Sequence, residues 1–173
     1  MKKIFVILTC IVVVLSGCST VQSLIKSTFP YTATIIVPAS SRTNTVISST
    51  SAVSSVDQVF GNQNGTDYIK EVRVASARLD ASNPSTQNLG VFKSVKLYLI
   101  NSSGAEVMIA SRSDVAENIG NNLVLDIDNS RFLDDYVKGS NLRIRMEYVL
   151  RNSLSSDVSV RAAINFNSSP NIK

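Results

Sequence analysis

Hydrophobic and polar residues alternate one by one over much of the chain beyond residue 30, which is the pattern of half-buried β-strands. The alternation is cleanest in residues 142–150 and 158–166, where every second side chain is hydrophobic. About eight such runs are bounded by residues that favour turns. They are residues 31–37, 45–54, 68–80, 95–99, 106–111, 123–127, 142–150 and 158–166.

The run at residues 68–80 changes phase partway along its length. Val72 and Val74 share one parity, whereas Ala77 has the other. An extra residue in the strand, a β-bulge near residues 75–76, would bring all three hydrophobic side chains to one face. The pattern therefore predicts one long bulged strand rather than two short ones.

Two segments break the β pattern and predict short helical structure. Residues 130–138 have hydrophobic side chains one turn apart, with Asn129 or Ser130 as the N-cap and Gly139 as the C-cap. This helix is expected to lie across one end of the sheets. Residues 114–120 predict a single capped helical turn.

The last two strands predict their own register from charge. Pairing Leu150 with Val158 in an antiparallel hairpin places Glu147 opposite Arg161, which is favourable, and slipping the pairing by two residues brings arginines together. No parallel crossover pattern occurs along the chain. The sequence therefore predicts an all-β protein, an antiparallel β-sandwich of immunoglobulin-like or transthyretin-like type with one short helix.

The first residues are of a different kind. Lys2 and Lys3 precede an apolar run at residues 4–15, which is too short to cross a bilayer and is typical of a secretory signal peptide. The run ends in Leu-Ser-Gly-Cys at residues 15–18, which resembles the lipobox of bacterial lipoproteins. That resemblance implies cleavage before Cys18 and attachment of lipid to its thiol.

The chain then divides into a signal peptide at 1–17, a lipidated cysteine with a polar tether at 18–29, and a β-sandwich domain at 30–173. The 156 residues left after cleavage suffice for one hydrophobic core. The resemblance implies a protein anchored in the cell envelope. Because Ser19 follows the cysteine, we expect sorting to the outer membrane. Because no acidic cluster comes after Ser19, we expect the protein on the periplasmic face of that membrane.

Composition narrows the chemistry. Loss of Lys2 and Lys3 lowers the net charge from +4 to +2, and this leaves no footprint for nucleic acid. The chain has no histidine, and its two cysteines are Cys10 in the signal peptide and the lipidated Cys18. No imidazole or free thiol then remains for nucleophilic catalysis or for a transition metal. We therefore expect neither an enzyme nor a cofactor.

One segment has the oxygen-rich spacing that opens a calcium loop, with Asp126, Asp128 and Ser130 as ligands. The EF-hand pattern fails, because Arg131 occupies the position of the glycine and Val137 that of the bidentate glutamate. Outward strand residues followed by a helix cap explain the same side chains. The segment is a weak calcium candidate.

The basic residues concentrate in the last two strands. Arg143 and Arg145 remain on the outward face after Arg151 and Arg161 are assigned to cross-strand ion pairs. They are a weak candidate for contact with anionic lipid headgroups or an acidic partner, since a lipid-binding cluster has about 4 to 8 cations. A solvated strand face is the simpler interpretation.

Carboxylates offer no clear catalytic pair. Asp134 and Asp135 are adjacent, so on a helix their side chains point about 100° apart. Glu106 and Asp126 are distant in sequence, so they could form a catalytic pair only if the fold brought their carboxylates together.

The leading hypothesis is a noncatalytic, lipid-anchored interaction or structural module with a protein partner in the envelope, as an accessory subunit of a larger complex. The alternative is a lipoprotein that binds a small ligand or glycan, using loops at one end of the sandwich with Tyr68, Tyr98 or Tyr136 as contacts. An unpaired edge strand or flat apolar patch would favour the former, and a deep polar pocket the latter.

Overall fold

The computed structural model describes residues 27–55, 65–139 and 141–171. The predicted signal peptide, Cys18, residues 19–26 of the predicted tether and residues 56–64 lie outside these ranges. Residues 27–29, predicted as tether, are instead the start of the first strand. Within them, no helix is long and apolar enough to cross a membrane.

Nine strands in the described residues form two antiparallel sheets that pack face to face, so the predicted all-β sandwich is confirmed. The strands are β1 (Ser27–Val37), β2 (Val46–Thr50), β3 (Ile69–Asn83), β4 (Phe92–Ile100), β5 (Glu106–Arg112), β6 (Asn122–Val124), β7 (Asp126–Ile127), β8 (Arg143–Leu150) and β9 (Val158–Pro170). Sheet I has the order β1-β9-β3-β6, and sheet II has the order β2-β8-β4-β5-β7.

The core lies between the two sheets and is built from alternate side chains, as the sequence predicts. Every hydrophobic residue assigned to the inner face of the last two strands is buried. These residues are Leu142, Ile144, Met146, Tyr148, Leu150, Val158, Val160, Ala162, Ile164 and Phe166. Burial of this regular set supplies the main favourable free energy of the fold.

The predicted hairpin of the last two strands is wrong. β8 pairs with β2 and β4 in sheet II, whereas β9 pairs with β1 and β3 in sheet I. The hydrophobic face of each strand points into the core between the sheets, so the two strands belong to opposite layers instead of lying side by side. The charges find other partners, since Glu147 binds Lys96 and Arg161 binds Asp80.

The predicted bulge in β3 is confirmed. Val74 lies opposite Phe166 and Ser76 lies opposite Asn165, so Ala75 is the extra residue. The hydrophobic residues on both sides of the bulge are buried. The change of phase in the sequence is therefore a local register shift in one continuous strand.

The run predicted as one strand at residues 123–127 serves both sheets. β6 pairs with β3 in sheet I, and β7 pairs with β5 in sheet II. Between them the backbone N–H of Leu125 donates to the carbonyl of Ala77 at 3.0 Å. The chain thus crosses from one sheet to the other and covers this side of the sandwich.

The helix, α1 (Asp134–Val137), is shorter than predicted and is not capped by Asn129 or Ser130. The carboxylate of Asp128 accepts from the backbone N–H of Ser130 at 3.0 Å and from its hydroxyl at 2.6 Å, which holds these residues in a turn. Leu133 occupies the N-cap position without a side-chain cap.

The segment at residues 114–120 is a β-turn and not the predicted helical turn, because the N–H of Ile119 donates to the carbonyl of Ala116. The turn packs closely on the chain just before β4. A Cβ on Gly90 would overlap the backbone carbonyl of Glu117. Only glycine permits this approach of two backbones.

Candidate functional site

The two arginines that the sequence suggested as a contact surface, Arg143 and Arg145, lie on the outer face of sheet II. The structure shows Arg145 in ion pairs with neighbouring carboxylates. The guanidinium of Arg145 binds Glu106 at 2.6 Å and Glu147 at 3.5 Å, and it lies 4.1 Å from the centre of the Tyr98 ring. Its hydrogen bond to Glu106 raises the pKa of Arg145. This guanidinium is therefore a structural element of the sheet face.

Arg143 lies beside it with an exposed side chain and forms no hydrogen bond or ion pair among the described residues. Lys96 on the neighbouring strand is paired with Glu147 at 3.2 Å. One free arginine falls short of the about 4 to 8 cations of a lipid-binding cluster. The charged side chains on this face mostly form ion pairs with one another.

The three candidate tyrosines do not form one binding surface. Tyr98 is covered by Arg145, and the hydroxyl of Tyr136 donates to the carbonyl of Glu106 at 3.4 Å. Tyr68 alone is widely exposed, at 67% of its surface, and it lies just before β3 in sheet I.

The calcium candidates each have a protein partner. Asp126 binds Arg112 at 3.3 Å, and the pKa of Asp128 is lowered by the hydrogen bonds from Ser130. No group of three or more metal-ligating carboxylate, thiol or imidazole side chains occurs in the part of the chain that the structure describes. These contacts account for the side chains of the segment, which stays a weak calcium candidate.

The carboxylates considered for acid–base chemistry are engaged as well. Glu106 pairs with Arg145, as described above. Asp134 accepts hydrogen bonds from the backbone N–H groups of Glu71 and Val72 at 3.0 and 3.1 Å, which joins α1 to the start of β3. The structure therefore assigns these groups to holding the fold.

The outer face of sheet I contains an open depression of about 410 Å³. Arg78 and Arg161 at its edge share one carboxylate, because both bind Asp80, at 3.4 and 3.1 Å. Burial acts to raise the pKa of Asp80, but hydrogen bonds from Asn122 and Arg161 and the two arginine charges outweigh it and hold this pKa below its usual value. Sequence reasoning missed this cluster because it assigned Arg161 to Glu147.

The edges of the two sheets differ greatly in length. β1 has 11 residues, β2 has 5, β6 has 3 and β7 has 2. No described strand pairs with the outer edge of β1, which is the first strand of sheet I. Its sequence, STFPYTATIIV, contains no charged residue.

Proline fixes which backbone groups of β1 face outward. Pro30 lies opposite Asn165 in the antiparallel register and has no N–H to give to β9. In an antiparallel strand pair, the backbone groups of successive residues point alternately toward and away from the partner strand. The backbone N–H and C=O groups of the even-numbered residues of β1 therefore point to the open edge. Thr32, Thr34 and Ile36 thus present backbone N–H and C=O groups, and their side chains are exposed.

Comparison with known proteins gives no family. No protein-family model matches the chain, and no curated protein matches it. Among solved structures, the chain is similar to one in the cyanophage Pam1 capsid asymmetric unit, with 12% identity and a TM-score of 0.39 over 82% of this chain and 85% of that chain.

Two viral structures are similar at the same remote level. They are the infectious bursal disease virus VP2 subviral particle, with 12% identity and a TM-score of 0.31, and the infectious bursal disease virus Gx strain, with 9% identity and a TM-score of 0.34. Each match covers 86% of this chain and 43% of the other, so the chain spans less than half of those proteins. Likeness this remote carries no information about activity.

Proposed function

We propose that the chain is a noncatalytic, lipid-anchored interaction module of the bacterial cell envelope that binds its partner through the open edge of β1. The observation that carries this proposal is the length and lack of charge of that edge. The resemblance of residues 15–18 to a lipobox supports the anchor.

An exposed sheet edge is a template for pairing with another strand, and soluble proteins usually protect it with charges, prolines, bulges or short strands. β2, β6 and β7 are short. β1 is long, rich in β-branched residues and uncharged, and Pro30 lies near its start. These properties suit β-strand addition, in which main-chain hydrogen bonds provide affinity.

The position of β1 fits a membrane tether. Ser27 follows Cys18 by nine residues, which span at most about 30 Å when extended. The sandwich would therefore stand close to the lipid surface, at the periplasmic face of the outer membrane. Its β1 edge would face other proteins of the same envelope.

The noncatalytic part of the proposal is supported by the contacts of the acidic residues. Glu106 and Asp126 form ion pairs with Arg145 and Arg112, and Asp134 accepts a hydrogen bond from the backbone N–H of Glu71. The chain has no histidine.

The anchor is tested by metabolic labelling with a fatty-acid probe. The wild-type chain should be labelled, and Cys18→Ala should lose the label and accumulate as precursor. Cys10→Ala is the matched control and should be labelled like the wild type, because it lies in the apolar run. Label that persists on Cys18→Ala would contradict the lipoprotein assignment.

A second function is favoured by the depression on sheet I, where two guanidinium groups share one carboxylate. That arrangement suits a small ligand or glycan bearing a carboxylate, sulfate or phosphate. Binding measured on a panel of acidic and neutral glycans should then fall at least tenfold in Arg161→Ala and be kept in Arg143→Ala. Equal binding by both variants would reject this site.

A further inference from the structure

We infer that the partner of the β1 edge is the β1 edge of a second copy of this chain, joined in an antiparallel pair about a twofold axis. This inference rests on the proposed function, because it names the partner of the same surface. It is carried by the spacing of prolines along β1 and by the absence of charge there.

The prolines define one pairing window. Pro30 lies within β1 and Pro38 follows its last residue, and neither can donate a backbone hydrogen bond. The outward residues between them are Thr32, Thr34 and Ile36. An antiparallel pair centred on Thr34 uses all three and nothing outside the window.

In this register Thr34 faces its own copy, and Thr32 faces Ile36 of the other chain. By symmetry, Ile36 also faces Thr32 of the other chain, which makes three pairs of outward residues. Each pair can exchange two main-chain hydrogen bonds, about six in total. Pro30 falls opposite Pro38 at both ends, so the missing donors coincide. The edge is therefore complementary to itself.

Charge also favours a second copy. Like charges placed directly opposite each other destabilise a strand pair, and a self-pairing edge always sets each charge near its equivalent. The 11 residues of β1 carry no charge, so this penalty is absent. A partner selected by charge would find nothing to recognise on the strand.

The pairing would end at two copies. It joins two four-stranded sheets into one continuous sheet, whose remaining edges are the two copies of the three-residue β6. After β6 the chain leaves sheet I for β7 in sheet II. A twofold interface therefore closes here and does not propagate into a fibre.

Both lipid anchors can reach one membrane in this arrangement. The two copies of Ser27 would lie about 45 Å apart along the strands, at about 3.3 Å per residue. Each has its own tether of about 30 Å. Anchoring on one surface raises the effective concentration of the second copy and favours an interface that is weak in solution.

The register is tested by disulfide formation from single cysteines. Among the described residues, every buried hydrophobic side chain lies between Phe29 and Phe166, so a chain that starts at Ser19 keeps all of them and contains no cysteine. Opposite residues in a hydrogen-bonded pair have Cα atoms about 5.5 Å apart, which suits a disulfide. Thr34→Cys should therefore form a covalent dimer under mild oxidation.

Thr28→Cys is the matched control, because it is exposed on the same face of the same strand but outside the window. Its two copies would lie about 40 Å apart and should stay unlinked. Thr32→Cys alone should also stay unlinked, whereas Thr32→Cys combined with Ile36→Cys should link. Circular dichroism identical to that of the starting protein confirms that each variant is folded.

A folded Thr34→Cys variant that stays monomeric would overturn the inference, and so would equal cross-linking of Thr28→Cys and Thr34→Cys. The first result would mean that a second copy of this chain does not occupy the edge. The same Thr34→Cys dimer should form in envelopes of cells that make the full chain. Fatty-acid labelling of Cys18 is independent of these results, so failure of the anchor and failure of the dimer are distinguishable.

Discussion

Replacing Ile144 by aspartate should unfold the sandwich, whereas the same replacement at the adjacent Arg143 should leave it folded. Ile144 is completely buried near the start of β8, and Arg143 precedes it with its side chain exposed on the opposite face. The two variants introduce the same carboxylate one residue apart in one strand. In one variant the new carboxylate points into the core, and in the other it points to solvent.

The expected cost at Ile144 comes from two terms. Burial of an isoleucine side chain is worth about 1.5 to 3 kcal/mol, which aspartate loses. An unpaired carboxylate in the core costs several kcal/mol more, whether it stays ionised or is protonated and left without a partner. The sum is comparable to the about 5 to 15 kcal/mol that stabilises a domain.

The expected change at Arg143 is within about 0.5 kcal/mol, because this side chain forms no ion pair among the described residues. Arg145 is not a suitable control, although it shares the outer face. Its replacement by aspartate would place a third carboxylate beside Glu106 and Glu147.

Urea unfolding followed by circular dichroism measures both variants. Ile144→Ala extends the series if the aspartate variant does not fold, with an expected loss of about 2 to 5 kcal/mol. Unfolding free energies of Ile144→Asp and Arg143→Asp that agree within about 1 kcal/mol would refute the assignment of faces in β8.

Three further predictions concern other parts of the fold. Gly90→Ala should lower the unfolding free energy by about 1 to 3 kcal/mol, because its Cβ would overlap the carbonyl of Glu117, and urea unfolding would detect no change if this packing were absent. Folding lowers the pKa of Asp80 below its ordinary value of 3.8, so its ion pairs stabilise the fold above about pH 4 and lose that contribution as the pH falls further. The unfolding free energy of Asp80→Asn should then vary less than that of the wild type between about pH 5 and pH 2, and parallel curves would contradict the ion pairs. Asp134→Ala should cost about 1 to 3 kcal/mol because it leaves two backbone N–H groups of β3 without their acceptor, whereas Asp135→Ala should change stability by less than about 0.5 kcal/mol in the same assay.

Local pattern predicted the faces of the strands and the irregularity within one of them. Alternation in β8 and β9 decides which side chains are buried, since successive residues of a strand point to opposite faces. The bulge at Ala75 was predictable for the same reason, because the change of parity is visible within a few residues. These features depend on neighbours along the chain.

The neighbours of each strand could not be predicted from pattern or charge. Leu150 ends β8 and Val158 begins β9. Each strand has an apolar face toward the core, and such a face fits a hairpin within one sheet as well as a connection between two sheets. Opposite charges did not decide between them, because Arg161 has acidic partners in both arrangements. The self-paired face around Arg145 and the shared carboxylate of Asp80 follow from this long-range pairing.

The predicted start of the helix was wrong because a hydrogen-bonded turn forms there instead. The sequence offered Ser130 as an N-cap, but its N–H and hydroxyl both bind Asp128 instead. A turn stabilised by a side chain removes the first residues from the helix. Only α1 remains, and its Asp134 binds β3.

The most direct test of the account is amide hydrogen exchange along β1, compared between the full chain in its membrane and the isolated domain at high dilution. Thr32, Thr34 and Ile36 should exchange rapidly in the dilute domain and slowly in the membrane, because their N–H groups are bound only when the edge is occupied. Ala33 and Ile35 should be protected in both, since they face β9. Rapid exchange of the three even-numbered residues in the membrane, or equal protection of them in the dilute domain, would contradict the claim that this edge is the interaction surface.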